Sequence, residues 1–210
     1  MKNIGKPNLI FDWSGVISDD LDVVLATYNE IFAIYGIPPL TREQFKNQFV
    51  LPYEIFCKNI IGGHAPLDEL QDHFRRIYSK LTIPPVIING VEDVLDRLKA
   101  QQIPMAVLSS HSFVSIENKR YFPDKRFFAK IYEDVPNKLD WIHILLEELQ
   151  FDPDNTYFIG DMTHDIETGK AGGVHTVAVT TGYQSRRTLQ SADPDHIIDH
   201  LREIFTVLNV

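Results

Sequence analysis

Short apolar runs alternate with helix-forming segments along most of the chain, and this alternation is the strongest constraint on the fold. Six runs are predicted to be strands, at residues 8–13, 104–110, 129–135, 156–161, 175–182 and, less regularly, 196–200. Apolar residues at three- and four-residue spacing predict helices at 91–101, 138–150, 165–173 and 201–208. Apolar strands separated by helices are typical of a parallel sheet covered on both faces. The sequence therefore predicts an α/β fold with a Rossmann-like parallel sheet.

The segment from residue 20 to 83 interrupts this alternation. Four stretches in it have apolar residues at helical spacing, at 20–36, 41–51, 53–63 and 66–81, with Gly and Pro between them. We predict a small all-helical domain at 20–83, inserted after the first strand. Residues 1–19 and 84–210 would then form the α/β core domain.

Charge and composition exclude several classes of partner. The chain has 29 acidic and 20 basic residues, a net charge of -9, which disfavours binding to nucleic acid or to an anionic membrane. Its first residues are unlike a signal peptide, and no run approaches the roughly 18 apolar residues of a membrane span. Cys57 is the single cysteine, so no intrachain disulfide can form. These features favour a cytoplasmic protein.

Polar side chains follow three of the predicted strands. Asp12, Ser109 and Asp161 each come where a strand ends. Asp165 lies four residues after Asp161 at the start of a helix, and Lys138 begins the preceding helix. Ligands of open parallel sheets bind outside the carboxyl ends of the strands. We therefore expect these five side chains to converge at one edge of the sheet.

The chemistry of this set favours phosphoryl transfer. Clustered carboxylates repel one another unless a cation joins them, and Mg²⁺ is held by one or two carboxylates together with phosphate oxygens. A free carboxylate beside the metal can attack phosphorus and form an acyl phosphate. Lys138 would offset the negative charge, and the Ser109 hydroxyl would donate to the phosphoryl oxygens. The order and placement of these residues favour this interpretation over separate roles in turns and helix caps.

Four segments resemble, in the same order, the motifs of the haloacid dehalogenase superfamily of hydrolases. They are "LIFDWSGV", "MAVLSS", "NKLDWI" and "FIGDMTHDIETGKAGG". The resemblance covers almost the whole chain, and the helical insertion is similar to the first type of cap in this superfamily. It is strongest to the branch of phosphoglycolate phosphatases and beta-phosphoglucomutases. The resemblance implies a hydrolase of a small phosphorylated metabolite.

The same resemblance implies a role for each site residue. Asp12 would be the nucleophile that forms an aspartyl-phosphate, and Ser109 and Lys138 would hold the phosphoryl group. Asp161 would bind Mg²⁺, and Asp165 would bind the metal or orient a metal-bound water. The backbone carbonyl of Ser14 would be a further metal ligand.

Ser14 is also where the chain departs from the family pattern. Phosphatases of the superfamily have at this place an aspartate that protonates the leaving oxygen. A hydroxyl with no nearby base cannot act as a general acid near pH 7, and such catalysis is typically worth ~10² to 10⁴-fold. We therefore expect weak or unusual turnover. Asp161 and Asp165 argue against the dehalogenases, which lose acids from the fourth motif.

Two alternatives to a phosphatase remain open. The first is a catalytically impaired protein that binds a phosphorylated ligand or a protein partner in the same cleft. The second is a phosphonatase-like hydrolase of C–P bonds, whose first motif, Asp-x-Ala-Gly-Thr, is close to "DWSGV". That reaction needs a lysine from the cap, and an ungapped alignment from Thr41 places Tyr53 there, with Lys58 five residues later.

The helical insertion is expected to lie over the site and to select the substrate. Candidates for substrate contact are Tyr53, Phe56 and Lys58 from the insertion, and Ser110 and His111 beside Ser109.

Overall fold

The computed structural model describes residues 5–62 and 66–210. Its strands, in chain order, are β1 (Asn8–Phe11), β2 (Ser18–Asp19), β3 (Val86–Ile87), β4 (Met105–Leu108), β5 (Lys130–Tyr132), β6 (Thr156–Gly160), β7 (His175–Val179) and β8 (His196–Ile198). In this part of the chain, six strands form a parallel sheet in the order β5-β4-β1-β6-β7-β8. The predicted α/β fold with a parallel sheet is confirmed.

The helices cover both faces of this sheet and form the insertion after β1. They are α1 (Leu21–Ile34), α2 (Arg42–Gln48), α3 (Tyr53–Ile61), α4 (Leu67–Tyr78), α5 (Val91–Ala100), α6 (Val114–Tyr121), α7 (Ile142–Leu149), α8 (Thr163–Ala171), α9 (Arg186–Ser191) and α10 (Ile204–Leu208). Short 3-10 turns lie at Lys138–Asp140, Pro153–Asn155 and Leu201–Glu203. None of the described helices is both long and apolar enough to cross a bilayer.

β1 is central in the sheet and fixes the position of the residue that follows it. It pairs with β4 on one side and with β6 on the other. Leu9 and Phe11 pack into the core on one face, and Ile10 packs into the core on the other. All three are fully buried, and a buried side chain of this size stabilises the fold by roughly 1.5–3 kcal/mol. Asp12 therefore directly follows a strand that is buried and paired on both sides.

Helices α1–α4, the helical segment, pack around their own apolar cluster. Tyr28 and Phe56 are at its centre, with their ring centroids 5.2 Å apart. Met162 and Tyr183, from the ends of β6 and β7, belong to the same cluster. Because these two residues lie at the carboxyl edge of the sheet, the helical segment covers that edge.

A two-stranded antiparallel ribbon joins the helical segment to the sheet. β2 pairs with β3, with Ser18 opposite Ile87 and Asp19 opposite Val86. The chain thus enters and leaves the helical segment side by side. The sequence predicts only a linker near residue 84, because two-residue strands are too short to produce an apolar period.

Candidate active site

Three adjacent strands place the predicted polar residues at one edge of the sheet. Asp12 follows β1, Ser109 follows β4 and Asp161 follows β6. The backbone N–H of Asp12 donates to the carbonyl of Ile159, and that of Ser109 donates to the carbonyl of Tyr132, so the strand pairing extends to the site. All three polar residues are buried, with at most 3% of their surface exposed.

Lys138 lies between two of the carboxylates. Its Nζ is 2.9 Å from Oδ1 of Asp12 and 2.7 Å from Oδ1 of Asp165. The side chain is fully buried, which by itself would lower the pKa of the ammonium, but the two carboxylates raise that pKa above its usual value. Lys138 is therefore a charged group held inside the protein by its partners.

Asp165 uses both of its carboxylate oxygens within the protein. Oδ1 pairs with Lys138, and Oδ2 accepts hydrogen bonds from the backbone N–H groups of Asp161 and Met162 at 3.2 and 3.0 Å. A Cβ at position 160 would overlap this carboxylate, so only glycine fits at this position. Asp165 thus positions Lys138 and the first turn of α8.

The carboxylates of Asp12, Asp161 and Asp165 form a cluster suited to a hard cation. Each offers one oxygen within 4.8 Å of the others. Oδ2 of Asp161 accepts a 2.6 Å hydrogen bond from the N–H of Tyr183, whereas its Oδ1 has no hydrogen-bond partner among the described residues. Burial raises the pKa of Asp12 and of Asp161, and the neighbouring carboxylates add to this effect. A cation between the carboxylates would remove this penalty, so the donor set fits Mg²⁺.

A partly open pocket lies above these residues, between the sheet edge and the helical segment. Its volume is about 80 Å³. Asp12, Ser109 and Lys138 line its floor, and Ser110 and His111 line one wall. The Ser110 hydroxyl is buried and has no hydrogen-bond partner in the described part of the chain, so it is free to contact a ligand.

Of the residues predicted to contact substrate from the helical segment, only Tyr53 lines the pocket. Lys58 is exposed and lies outside it, because five residues along a helix turn the side chain about 140° from Tyr53. Phe56 is fully buried in the core of the helical segment. Cys57, four residues after Tyr53, faces the pocket instead.

A buried glutamate that the sequence does not reveal connects the sheet to the helical segment. Glu117, on α6, is 2% exposed. It accepts hydrogen bonds from Trp13 Nε1 at 2.7 Å, Ser18 Oγ at 3.0 Å, Tyr78 OH at 2.6 Å and His111 Nε2 at 2.9 Å. Burial alone would raise the pKa of this carboxyl, but the hydrogen bonds lower it to about 2. Burial alone would lower the pKa of His111, but the hydrogen bond to Glu117 and the charge of that carboxylate raise it.

Residues 9–179 match the family model described as haloacid dehalogenase-like hydrolase. The chain belongs to this family. The predicted superfamily and the prediction of a hydrolase are thereby confirmed. The matched range includes each of the four motifs and the helical segment.

Relatives across this hydrolase family match nearly the full chain. A phosphoglycolate phosphatase of Synechococcus elongatus is 26% identical over 199 residues, which cover 91% of this chain and 92% of that protein. Pyrophosphatase PpaX of Oceanobacillus iheyensis is 22% identical over 215 residues, 95% of each chain. The crystal structure of a predicted phosphatase from Clostridium acetobutylicum superposes with a TM-score of 0.86 over 98% of this chain and 100% of that chain, at 18% identity. The fold is therefore shared over the whole length.

The environment of Ser14 corrects one expectation from the sequence. Its Oγ donates a hydrogen bond to the carboxyl of Asp20, which also accepts one from the Tyr183 hydroxyl at 3.0 Å. Asp20 is fully buried, and burial raises its pKa to about 7. Ser14 is thus not without a nearby base, because the turn at Gly15 brings Asp20 back to it. The one signal for this contact in the sequence is that Asp20 directly precedes an apolar helix, α1.

Proposed function

We propose that the protein is a Mg²⁺-dependent phosphatase of a small phosphorylated metabolite that acts through an aspartyl-phosphate on Asp12. The observation that carries this proposal is the buried carboxylate of Asp12 at the pocket floor, between the cation of Lys138 and the unpaired Oδ1 of Asp161. The names of the phosphoglycolate phosphatase and pyrophosphatase relatives support the same class of substrate.

Asp12 and Asp161 would hold the metal, and the backbone carbonyl of Ser14 would be a third ligand from the protein. Asp165 would act beside it by holding Lys138 and the first turn of α8. When bound, Mg²⁺ supplies positive charge that offsets the carboxylates and polarises the phosphoryl group.

In the first step, a carboxylate oxygen of Asp12 attacks phosphorus. An O–P bond forms to Asp12, the ester P–O bond breaks, and the alkoxide leaves with the electron pair and takes up a proton. Water then attacks the phosphorus of the acyl phosphate, and the carboxylate of Asp12 is regenerated. The net reaction consumes one water and yields an alcohol and hydrogen phosphate.

Two residues would hold the phosphoryl oxygens during both steps. Lys138 provides a fixed positive charge at the pocket floor. The Oγ of Ser109 accepts a 3.3 Å hydrogen bond from the backbone N–H of His111, which leaves its own proton free to donate to a phosphoryl oxygen. Both groups are buried and preorganised, so little reorganisation is needed on binding.

The helical segment would act as a cap domain. We propose residues 20–83 as this domain and residues 1–19 and 84–210 as the core domain. Two distinct apolar clusters support the division: one lies within the core, and the other is built mainly from residues 20–83, with Met162 and Tyr183 added from the core. By covering the sheet edge, this domain would shield the reacting groups from bulk solvent while leaving room for the one water that is consumed.

The alternative of C–P bond cleavage is disfavoured by the pocket. It needs a lysine of the helical segment to form a Schiff base with the substrate, and Lys58 points away from the pocket. A binding protein without turnover uses the same residues as the phosphatase, so experiment must separate these two.

The test is hydrolysis of acetyl phosphate and p-nitrophenyl phosphate with Mg²⁺ and with EDTA, because neither leaving group needs a proton. We expect activity that requires Mg²⁺ and falls at least ~10³-fold in Asp12→Asn. The exposed Asp124→Asn variant is the matched control and should retain full activity. Hydrolysis that persists in Asp12→Asn would contradict the proposal, and phosphate binding without any hydrolysis would favour the binding protein.

A further inference from the structure

We infer that the organic group of the substrate is uncharged and mainly apolar, so that the substrate is a phosphate monoester of an apolar alcohol or phenol. This inference rests on the proposed function. It comes from the contrast between the two ends of the pocket.

The end of the pocket opposite Asp12 is built from apolar side chains of the helical segment. The lining residues are Val24, Phe49, Leu51, Leu70 and Phe74. They belong to the apolar cluster of α1–α4 or pack against it, so the pocket wall is part of a folded core. Such a surface stabilises an apolar ligand group in proportion to the area removed from water.

The polar groups at this end already have partners within the protein. Gln71 donates a hydrogen bond through its Nε2 to the hydroxyl of Tyr53. The Tyr28 hydroxyl and the Cys57 thiol form a second pair, and burial raises the pKa of that thiol to about 12, so it stays neutral. A ligand hydroxyl or carboxylate here would have to break one of these pairs.

No lysine or arginine of the helical segment lines the pocket. All six lysine and arginine residues between positions 20 and 83 are described, and none of them lines it. Arg42 pairs with Asp22 and Arg75 with Asp134, while Lys46 donates to the carbonyl of Gly182; the others, Lys58, Arg76 and Lys80, are exposed.

The imidazole on the pocket wall also has its partner within the protein. His111 lines the pocket, but its Nε2 is 2.9 Å from the carboxylate of Glu117, and both residues are buried. An anionic or polyhydroxylated group lying against the helical segment would lose its hydration without a compensating partner from that segment. An apolar group would lose little hydration and would contact the apolar side chains that line this end.

The test measures binding of three phosphonates that cannot be hydrolysed, by titration calorimetry with Mg²⁺ present. Benzylphosphonate has an apolar ring, phosphonoacetate has a carboxylate, and methylphosphonate has no group that reaches the far end. We expect benzylphosphonate to bind at least about tenfold more tightly than either of the others. Equal or tighter binding of phosphonoacetate, or no binding of benzylphosphonate, would overturn the inference.

This readout separates the inference from the proposed function. Hydrolysis of acetyl phosphate, which has almost no organic group, reports on the chemistry of Asp12 alone. Phosphonate binding reports on the pocket and needs no turnover. Active enzyme without a preference for benzylphosphonate refutes the inference only, and the preference without any hydrolysis refutes the proposed function only.

A charge placed in the pocket gives a second test. Gln71→Arg adds a guanidinium to the lining, and we expect it to reverse the preference in favour of phosphonoacetate. Gln71→Met is similar in size and uncharged, so it should keep the preference for benzylphosphonate. Ile55→Arg adds the same charge on the exposed side of α3, outside the pocket lining, and should leave the preference unchanged. A Gln71→Arg protein that still prefers benzylphosphonate by the original factor contradicts the inference.

Discussion

The Oγ of Ser14 donates a 2.5 Å hydrogen bond to Oδ2 of Asp20, which places a buried carboxyl next to the position at which the family resemblance implies an acid. The two residues are six positions apart, and the turn between them contains Gly15. The partly buried Ser14 is therefore hydrogen-bonded to a buried carboxyl.

Ser14→Asp should raise turnover of alkyl phosphates, by about 10²-fold at the lower end of general-acid contributions. The new carboxyl would contact Asp20, and two carboxyl groups in contact share a proton, so one acid stays protonated near neutral pH. Steady-state kinetics with benzyl phosphate and with p-nitrophenyl phosphate measure this, because only the first leaving group needs a proton. Ser14→Asn is the uncharged control. A folded Ser14→Asp protein that binds Mg²⁺ and gains nothing on benzyl phosphate would show that more than one residue separates this site from an efficient phosphatase.

Gly15→Ala should weaken both the fold and the metal site. Gly15 has φ +73°, and a Cβ there would overlap the carboxylate of Asp161. Gly36 has φ +70° but open space around it, so Gly36→Ala is the matched control that carries only the backbone cost of about 1–2 kcal/mol. We expect calorimetric titration to show weaker Mg²⁺ binding in Gly15→Ala alone. Equal Mg²⁺ affinities in the two variants would show that the space at Gly15 does not affect the metal site.

Lys138→Met should destabilise the metal-free protein by about 3–5 kcal/mol, because it leaves the buried carboxylates of Asp12 and Asp165 without their cation. Saturating Mg²⁺ should recover part of this loss by compensating Asp12. Chemical denaturation with Mg²⁺ and with EDTA gives both values, and the exposed Lys119→Met variant should match the wild type in each. A loss that is the same with and without Mg²⁺ would argue against a shared charge cluster.

Glu117→Gln should lower stability at pH 7 and remove part of its dependence on acid pH. The pKa of Glu117 is about 2 in the folded protein, below the ordinary value of 4.5, so its stabilising contribution is complete above pH 4.5 and is lost as the pH falls toward 2. The difference between wild type and Glu117→Gln, about 3–5 kcal/mol at pH 7 for a broken buried pair, should therefore shrink over that window. Denaturation curves from pH 7 to 2.5 test this, with the exposed Glu147→Gln as control. A stability difference between the two proteins that stays constant with pH would mean that Glu117 stabilises the fold through packing and not through its charge.

The sheet could be predicted from the sequence because each of its strands is mainly apolar and is followed directly by a polar residue. β1 shows why this works: its three buried residues face opposite sides of the sheet, and all must be apolar. The sequence does not predict α9, because six residues with one buried side chain, Leu189, show no helical spacing of apolar residues. It does not predict α6 for a similar reason, since one of the two buried residues of this helix is the charged Glu117.

The carboxylates of the site were predictable because they follow strand ends, whereas the groups around them were not. Glu117 contacts Trp13 across 104 positions, and no local pattern encodes such a contact. Lys58 was expected to face the substrate from its charge and its proximity to Tyr53, but the helix directs it to solvent. Asp20 has a local signal, yet only the folded turn shows that it reaches Ser14.

The ribbon of β2 and β3 has a consequence for the order of events in a catalytic cycle. Ser14 lies on the sheet side of this ribbon, and Asp20 lies directly after β2, on the side of the helical segment. If the helical segment swings open about the ribbon as a hinge, Asp20 moves with it and its bonds to Ser14 and Tyr183 break. The movement that admits substrate would then also break the hydrogen bonds around Ser14. Ser14 would regain its carboxyl partner, Asp20, only when the helical segment covers the sheet edge again.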